Sequence, residues 1–301
     1  MAAEGLCGVM PALVTPVHQA RLFQAQPYER LLERVYAAGV DGVYVCGQTG
    51  EGLQLPAAER KRAAECAVTC SPAGKTVIVH IGAASTTEAV DLARHAASAG
   101  AHAVSSLPPA GSYSFEEVRA HYQAVATATE LPFLVYYFPS IAPAIRTLEE
   151  ILELCRIPNV VGLKFTDSDF FRLWAVRKSG AVVFNGSDEM MLSGLIAGAT
   201  GGIGSTYNLI PESFVELNRL ASEKRWEEAR AVQDSINEFI QALLKYPVNP
   251  AIKLLLRWVG IDCGAPVAPR RTLSAQEAAD LRARIGRTAL GAKLLLRSVE
   301  A

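Results

Sequence analysis

Long hydrophobic runs are missing from this 301-residue chain. None approaches the roughly 18 apolar residues that a membrane-spanning helix needs, so no membrane partner is expected. An excess of one charge sign is missing too. The 29 Lys and Arg residues nearly balance the 30 Asp and Glu residues, leaving a formal charge of −1. Without a basic run or an acidic tail there is no electrostatic footprint for nucleic acid. The opening residues, MAAEGLCGVM, lack a basic segment followed by a long apolar stretch, so no signal peptide is expected. Metal-binding spacing such as H-E-x-x-H is absent around His18, His80, His95, His102 and His121, and no metal is expected. The six cysteines are scattered, as in a reducing compartment where thiols stay free; a cytoplasmic location follows as an expectation. Cys66 and Cys70 share a helix face, but with no His pair beside them they read as small core side chains. No G-x-G-x-x-G follows the first strand, which weakens a dinucleotide-binding sheet, and no cofactor is expected.

What is present is an alternation. Short apolar runs recur at 8–17, 42–47, 76–81, 103–108, 133–138, 160–165, 181–186 and 201–206, with helical periodicity between them. The runs are nearly continuous rather than alternating, the pattern of strands covered on both faces in a parallel sheet. YERLLERVYAAG (28–39) and TTEAVDLARHAASAG (86–100) carry apolar stripes and end at Gly, the usual residue after a helix. AAGVDGVYV, SAGAHAVSS and IAGATGGIG repeat one grammar of helix end, Ala-Gly, linker and strand start. Eight such units predict a (β/α)₈ TIM barrel, with an open doubly wound sheet as the alternative. After about residue 207 the pattern turns helical, at 211–246, 249–261 and 274–299. The expected organisation is a catalytic barrel over 1–225 and a C-terminal helical extension over 226–301.

One residue does not suit its setting. Lys164 sits in NVVGLKFTDSD (159–169), inside an apolar strand. Barrel active sites lie at the C-terminal strand ends. An ammonium pointing inward there is desolvated, which favours the neutral amine. Lowering a lysine from about 10.4 to the 7–8 needed for imine chemistry takes roughly 3 pKa units, about 4 kcal/mol. The free amine can attack a ketone and form a Schiff base. The bland alternative is a lysine that snorkels past the strand end into solvent.

Neighbouring strand ends add partners. YYFP supplies two phenols, Tyr136 and Tyr137, either of which can shuttle a proton; both faces of that strand are apolar, so parity does not choose between them. GQTGE supplies a Gly-rich turn whose N–H groups, with the Thr49 hydroxyl, can hold a carboxylate; its glycines can equally serve only the turn. Asp188 and Glu189 close the seventh strand at the same rim, or merely complement a helix N-terminus. Together these suit a 2-keto acid, with its ketone at Lys164.

Gly-x-Thr-Gly-Glu after strand two, Tyr-x-x-Pro after strand five and Gly-Leu-Lys-Phe-x-Asp in strand six resemble the dihydrodipicolinate synthase/N-acetylneuraminate lyase family of pyruvate-dependent class I aldolases, over residues 8 to about 270. The resemblance implies a barrel with a C-terminal helical part, usually a homotetramer. It implies that Lys164 forms the pyruvate imine, that Tyr136 is the proton shuttle, and that Thr49 and Gln48 contribute the carboxylate pocket. NGSDE and GGIGSTYN are similar to the sialic acid lyase branch. Gly186, Asp188, Glu189 and Ser205, with Thr166, would then bind the hydroxyls of an acid sugar. Ile141 stands where the lysine-biosynthetic synthases carry an arginine, which counts against that activity.

Two features depart from the family pattern. Gln48 replaces the usual Ser or Thr of a hydroxyl relay, and Ala110 and Gly111 replace an aromatic pair, with Tyr113 at the wrong offset to substitute. The resulting expectation is a carbon–carbon lyase that cleaves or condenses pyruvate and an aldehyde, N-acetylneuraminate lyase-like. Alternatives are another 2-keto-3-deoxy sugar acid aldolase or dehydratase, a dihydrodipicolinate synthase-like enzyme, and a non-catalytic keto-acid-binding barrel. A metal-dependent class II aldolase would need a His/Asp/Glu cluster at the rim, where only His80 is placed.

Overall fold

The computed structural model describes residues 5–18 and 21–296. Eight parallel strands run in one sheet: β1 (Gly8–Pro11), β2 (Gly42–Val45), β3 (Thr76–His80), β4 (Ala103–Ser106), β5 (Phe133–Tyr137), β6 (Val160–Phe165), β7 (Val182–Asn185) and β8 (Gly201–Gly204). Sequence neighbours are hydrogen-bonded from β2 to β8, and β8 returns to β1 with Gly8 opposite Gly201. An Ala12–Tyr44 bridge, with the Leu13 N–H donating to the Tyr44 carbonyl at 2.9 Å, closes the ring between β1 and β2. The fold is the expected TIM barrel.

Helices α1 (Ala25–Ala37), α2 (Ala57–Cys70), α3 (Thr86–Ser98), α4 (Phe115–Ala126), α5 (Leu148–Leu154), α6 (Phe170–Lys178), α7 (Met191–Ile196) and α8 (Pro211–Ser222) alternate with the strands. Their starts are written locally. Ser114 with Glu117 and Thr147 with Glu150 form reciprocal capping boxes, the Ser85 hydroxyl accepts from the Glu88 N–H, and Pro211 opens α8. Beyond the barrel lie α9 (Trp226–Leu243), α10 (Val248–Trp258), α11 (Ala275–Ile285) and α12 (Ala289–Leu296). Among the described residues no helix is long and apolar enough to cross a membrane.

The apolar residues divide into two populations. A small inner cluster fills the barrel, with Met10, Tyr44, Ile78, Leu134, Tyr136 and Phe184 among its members. A larger shell lies between strands and helices, where Val43, Val45, Leu163, Phe165 and Val183 meet helix residues such as Leu31 and Leu92. Coverage on both faces is why the strands read as continuous apolar runs.

Most strands end one or two residues before the apolar run does, and three larger differences from the sequence expectation stand out. The first run ends as a strand at Pro11, not at residue 17. Pro16 has no N–H for a ladder, and Val17 instead pairs with Phe23 in a small antiparallel hairpin. The helical stretch 211–246 breaks at 223–225, where Lys224 takes a left-handed φ of +59° and α9 packs against α8. The stretch 274–299 is two helices, and its last three positions lie outside the described residues.

Candidate active site

Lys164 and Tyr136 are directly paired in the β5–β6 register. Both face the barrel interior, while Leu163 and Phe165 on either side of Lys164 face the helices. Lys164 is 4% exposed. Its Nζ lies 4.2 Å from the centre of the Tyr136 ring and 4.5 Å from that of Tyr44. The parity question is thereby answered. Tyr137 lies on the outer face against Phe165, where its hydroxyl accepts from Arg172 Nη1 at 2.7 Å and donates to Asp167 at 3.3 Å.

The electrostatics follow from burial. Loss of solvent brings the Lys164 ammonium down to about 7, against a smaller upward pull from the Asp188 carboxylate. Burial pushes Asp188 up, opposed mainly by its hydrogen bonds from Thr206 and less by Lys164. Burial also raises the Tyr136 phenol, with the nearby Thr166 hydroxyl pulling the other way although its oxygen completes no hydrogen bond. His80 is held well below its usual range by burial, then by the Arg60 and Lys164 charges. Its Nε2 accepts from the Leu107 N–H at 3.2 Å, so Nδ1 carries the proton and donates to the Cys46 carbonyl at 3.1 Å. Both ring nitrogens are thus engaged, and His80 has none free for a metal.

One cavity of about 300 Å³ at the strand ends brings together all nine residues expected from sequence. On the β2 side are Gln48, half-buried, and Thr49, 4% exposed. Their turn is flanked by two left-handed residues, Cys46 at φ +59° and Glu51 at φ +54°. Such backbone persists only where surroundings hold it. Here the fully buried Glu51 carboxylate accepts from the Val267 N–H at 2.9 Å and pairs with Lys253 Nζ at 2.7 Å.

On the opposite side, Gly186 N–H donates to the Phe165 carbonyl at 2.7 Å. That N–H is therefore not free for a ligand hydroxyl. A Cβ there would lie 1.9 Å from Thr166 Oγ1, so a larger residue would displace that side chain. Asp188 accepts from the Thr206 hydroxyl at 2.6 Å and from the N–H groups of Thr206 and Ser205 at 2.7 and 3.3 Å. It ties the β7 loop to the β8 loop as well as facing the cavity. Glu189 is exposed and also lines an adjoining depression over α9. Ser205 and Thr49 hydroxyls meet at 2.8 Å, joining the two halves of the site.

Sequence reasoning missed several lining or supporting groups. Tyr44 faces Lys164 and donates to Ser105 Oγ at 3.1 Å. Arg270 and Asn249 reach the cavity from the C-terminal segment, beside Leu243 and Val248. The available signal was Lys253, a cation inside the apolar stretch NPAIKLLLRW, the same anomaly that drew attention to Lys164. Tyr113 is exposed and lines no part of the cavity. Away from the site, Glu29, Cys66 and Cys70 bring three ligand-type atoms within 4.8 Å of one another, an acidic neighbour the sequence had not supplied for the two thiols. Burial, reinforced by Cys70, pushes the Cys66 thiol up to about 12.

Comparison with known proteins bears on this geometry. Residues 5–287 match the model of the dihydrodipicolinate synthetase family. An N-acetylneuraminate lyase of Rhizobium meliloti is 38% identical over 278 residues, covering 91% of this chain and 93% of the relative. That of Citrobacter koseri is 35% identical, covering 89% and 93%. Among solved structures, the Ruminococcus gnavus sialic acid aldolase superimposes with a TM-score of 0.90 at 26% identity, over 99% of both chains. The same protein is also known as a catalytic lysine mutant, at 25% identity and a TM-score of 0.90, over 99% of this chain and 98% of that one. The chain belongs to the dihydrodipicolinate synthetase family, as an N-acetylneuraminate lyase-like member of these pyruvate-dependent class I aldolases.

Proposed function

We propose that Lys164 forms an imine with the ketone of a 2-keto acid sugar and that the cavity cleaves it, or makes it, at the C3–C4 bond. The observation that carries this is a 4%-exposed amine brought to about 7 beside a buried phenol. The neutral amine attacks the ketone carbon, the carbinolamine hydroxyl takes a proton from solvent and leaves as water, and a protonated imine remains while Tyr136, now beside a cation, releases its phenol proton to solvent. In cleavage, Tyr136 takes the C4 hydroxyl proton, the C3–C4 electron pair moves into the imine, and an enamine forms as the aldehyde departs. Protonation at C3 and hydrolysis release pyruvate and restore the amine. In condensation the phenol gives its proton to the new alkoxide, and the raised Tyr136 keeps that proton available. Appearance of a cationic imine 4.2 Å from the ring, where a neutral amine had been, then stabilises the phenolate needed in the reverse direction.

The substrate carboxylate lies against Thr49 and the N–H groups of the Gln48–Gly50 turn. Thr166, Asp188, Glu189 and Ser205 face the polyol; the buried Thr166 hydroxyl oxygen has no partner of its own, and a buried group left unpaired costs about 1–3 kcal/mol. The two similar lyases support an N-acetylneuraminate-like substrate. Gln48 favours a second reading, another 2-keto-3-deoxy sugar acid, because it stands where the family pattern has the Ser or Thr of a hydroxyl relay. We read residues 226–301 as an extension that serves the barrel rather than a separate unit, and the enzyme as a cytoplasmic homotetramer.

The test is reduction with borohydride in the presence of pyruvate, followed by mass mapping. A pyruvate adduct on Lys164 is expected, and an adduct elsewhere overturns the assignment. An aldehyde panel beginning with N-acetylmannosamine then identifies the acceptor. An adduct on Lys164 without turnover of any keto acid would favour the binding-only barrel.

A further inference from the structure

The carboxylate turn is held from outside the barrel. Asn249, at the start of α10 and 8% exposed, donates its Nδ2 to the Gln48 carbonyl at 3.0 Å and to the Thr49 carbonyl at 3.3 Å. In a trans peptide, C=O and the following N–H point in opposite directions. Gripping those two carbonyls therefore aims the N–H groups of Thr49 and Gly50 the other way. Neither N–H donates to an acceptor among the described residues, and both Thr49 and Gly50 are buried. Paired, unspent N–H groups of this kind form an anion-binding concavity.

The grip is itself braced. One turn along α10, Lys253 is 2% exposed, pairs with Glu51 of the same turn and donates to the Ala265 carbonyl at 3.2 Å. Asn249 and Lys253 thus clasp the β2 turn at two points. Bonds 201 and 200 residues apart in sequence add to the turn's own bonds, from the Glu51 N–H to the Gln48 carbonyl at 3.2 Å and from the Gly52 N–H to the Gly47 carbonyl at 3.1 Å.

We propose that Asn249 is a positioning residue for keto-acid recognition, acting through the Gln48 and Thr49 carbonyls to aim the N–H groups that receive the substrate carboxylate. This rests on the function proposed above. It places the control of pyruvate affinity in a helix outside the barrel, separate from the control of amine reactivity at Lys164.

The experiment measures borohydride trapping on Lys164 against pyruvate concentration and pH, in wild type, Asn249→Ala and Asn249→Ser. For Asn249→Ala the half-saturating pyruvate is expected to rise about tenfold or more, as the Thr49 carbonyl loses its side-chain donor and the Gln48 carbonyl keeps only the Glu51 N–H. The plateau trapping rate should stay within about threefold, and the acidic limb should not move. Asn249→Ser keeps one donor, is the milder change for folding, and should fall between. Lowered thermal stability with unchanged half-saturation would assign Asn249 a purely structural role and overturn the proposal. So would a lower plateau or a displaced acidic limb at unchanged half-saturation. Failure of the wild type to trap pyruvate on Lys164 would instead remove the proposed function, and this inference with it.

Discussion

Tyr136 and Lys164 face each other across adjacent strands, with the amine nitrogen 4.2 Å from the ring centre and the two Cα atoms in register. A phenol and an amine held this way have little freedom to drift apart, because each is fixed by a strand of a closed ring. Burial lowers the ammonium and raises the phenol, so near pH 7 the phenol is neutral and a large share of the amine is free. The chemistry therefore starts with a nucleophile and an acid already in their working forms.

The amine's ionisation should be visible in the rate of imine formation. With Lys164 at about 7, the trapping rate and kcat/KM should rise with pH along an acidic limb centred there. Below that point they should fall about tenfold per pH unit, as the free amine does. Stopped trapping from pH 5 to 9 checks this, and a limb near 10 would contradict the buried amine.

Removing one hydroxyl separates the two tyrosines. Tyr136→Phe should lower kcat by about 10²–10⁴ while leaving pyruvate trapping on Lys164 intact, since the phenol serves bond cleavage rather than imine formation. Tyr137→Phe, on the outer face with Arg172, should leave kcat within about threefold. Steady-state kinetics on both variants, together with trapping, distinguish them.

Gly186→Ala should damage acceptor recognition without abolishing the imine. The new Cβ would stand 1.9 Å from Thr166 Oγ1, so that hydroxyl must move out of the cavity wall. The expected result is a KM for the full-length substrate raised by about tenfold, roughly 1.4 kcal/mol, with pyruvate trapping retained.

Lys164→Met should stabilise the fold as it destroys activity. In the unfolded chain the lysine keeps its ordinary value near 10.5, whereas folded it titrates at about 7. Between those values the unfolded chain binds the extra proton, so the wild type gains stability as pH rises from 7 towards 10.5. Below 7 the buried cation opposes folding by about 3–5 kcal/mol. Thermal unfolding should therefore show the variant above wild type at pH 6 and the gap shrinking towards pH 10.

Much of this was legible in the chain itself, for definite reasons. The strand starts follow from apolar runs, several of them just after a helix-ending glycine such as Gly39, Gly100 or Gly198, and Lys164 announced itself as a cation among Leu163 and Phe165. The strand ends were overrun because apolar character continues into the loops, where backbone pairing stops. Tyr136 and Tyr137 could not be told apart by pattern alone, since inner and outer faces are both apolar. Asn249, Lys253 and Glu51 escaped because their pairing spans about two hundred residues, and local periodicity carries no information at that range.

The helix after the barrel also touches the opposite rim. Gln233 of α9 accepts from the Leu192 N–H at 2.9 Å and donates to the Asp188 carbonyl at 3.3 Å, much as Asn249 of α10 serves the β2 turn. A transplant of the eight strands alone would arrive without either clasp. Under the function proposed above, substrate range becomes open to re-engineering from the periphery, with α10 braced against the pyruvate end and α9 against the sugar tail, while the reacting amine stays untouched.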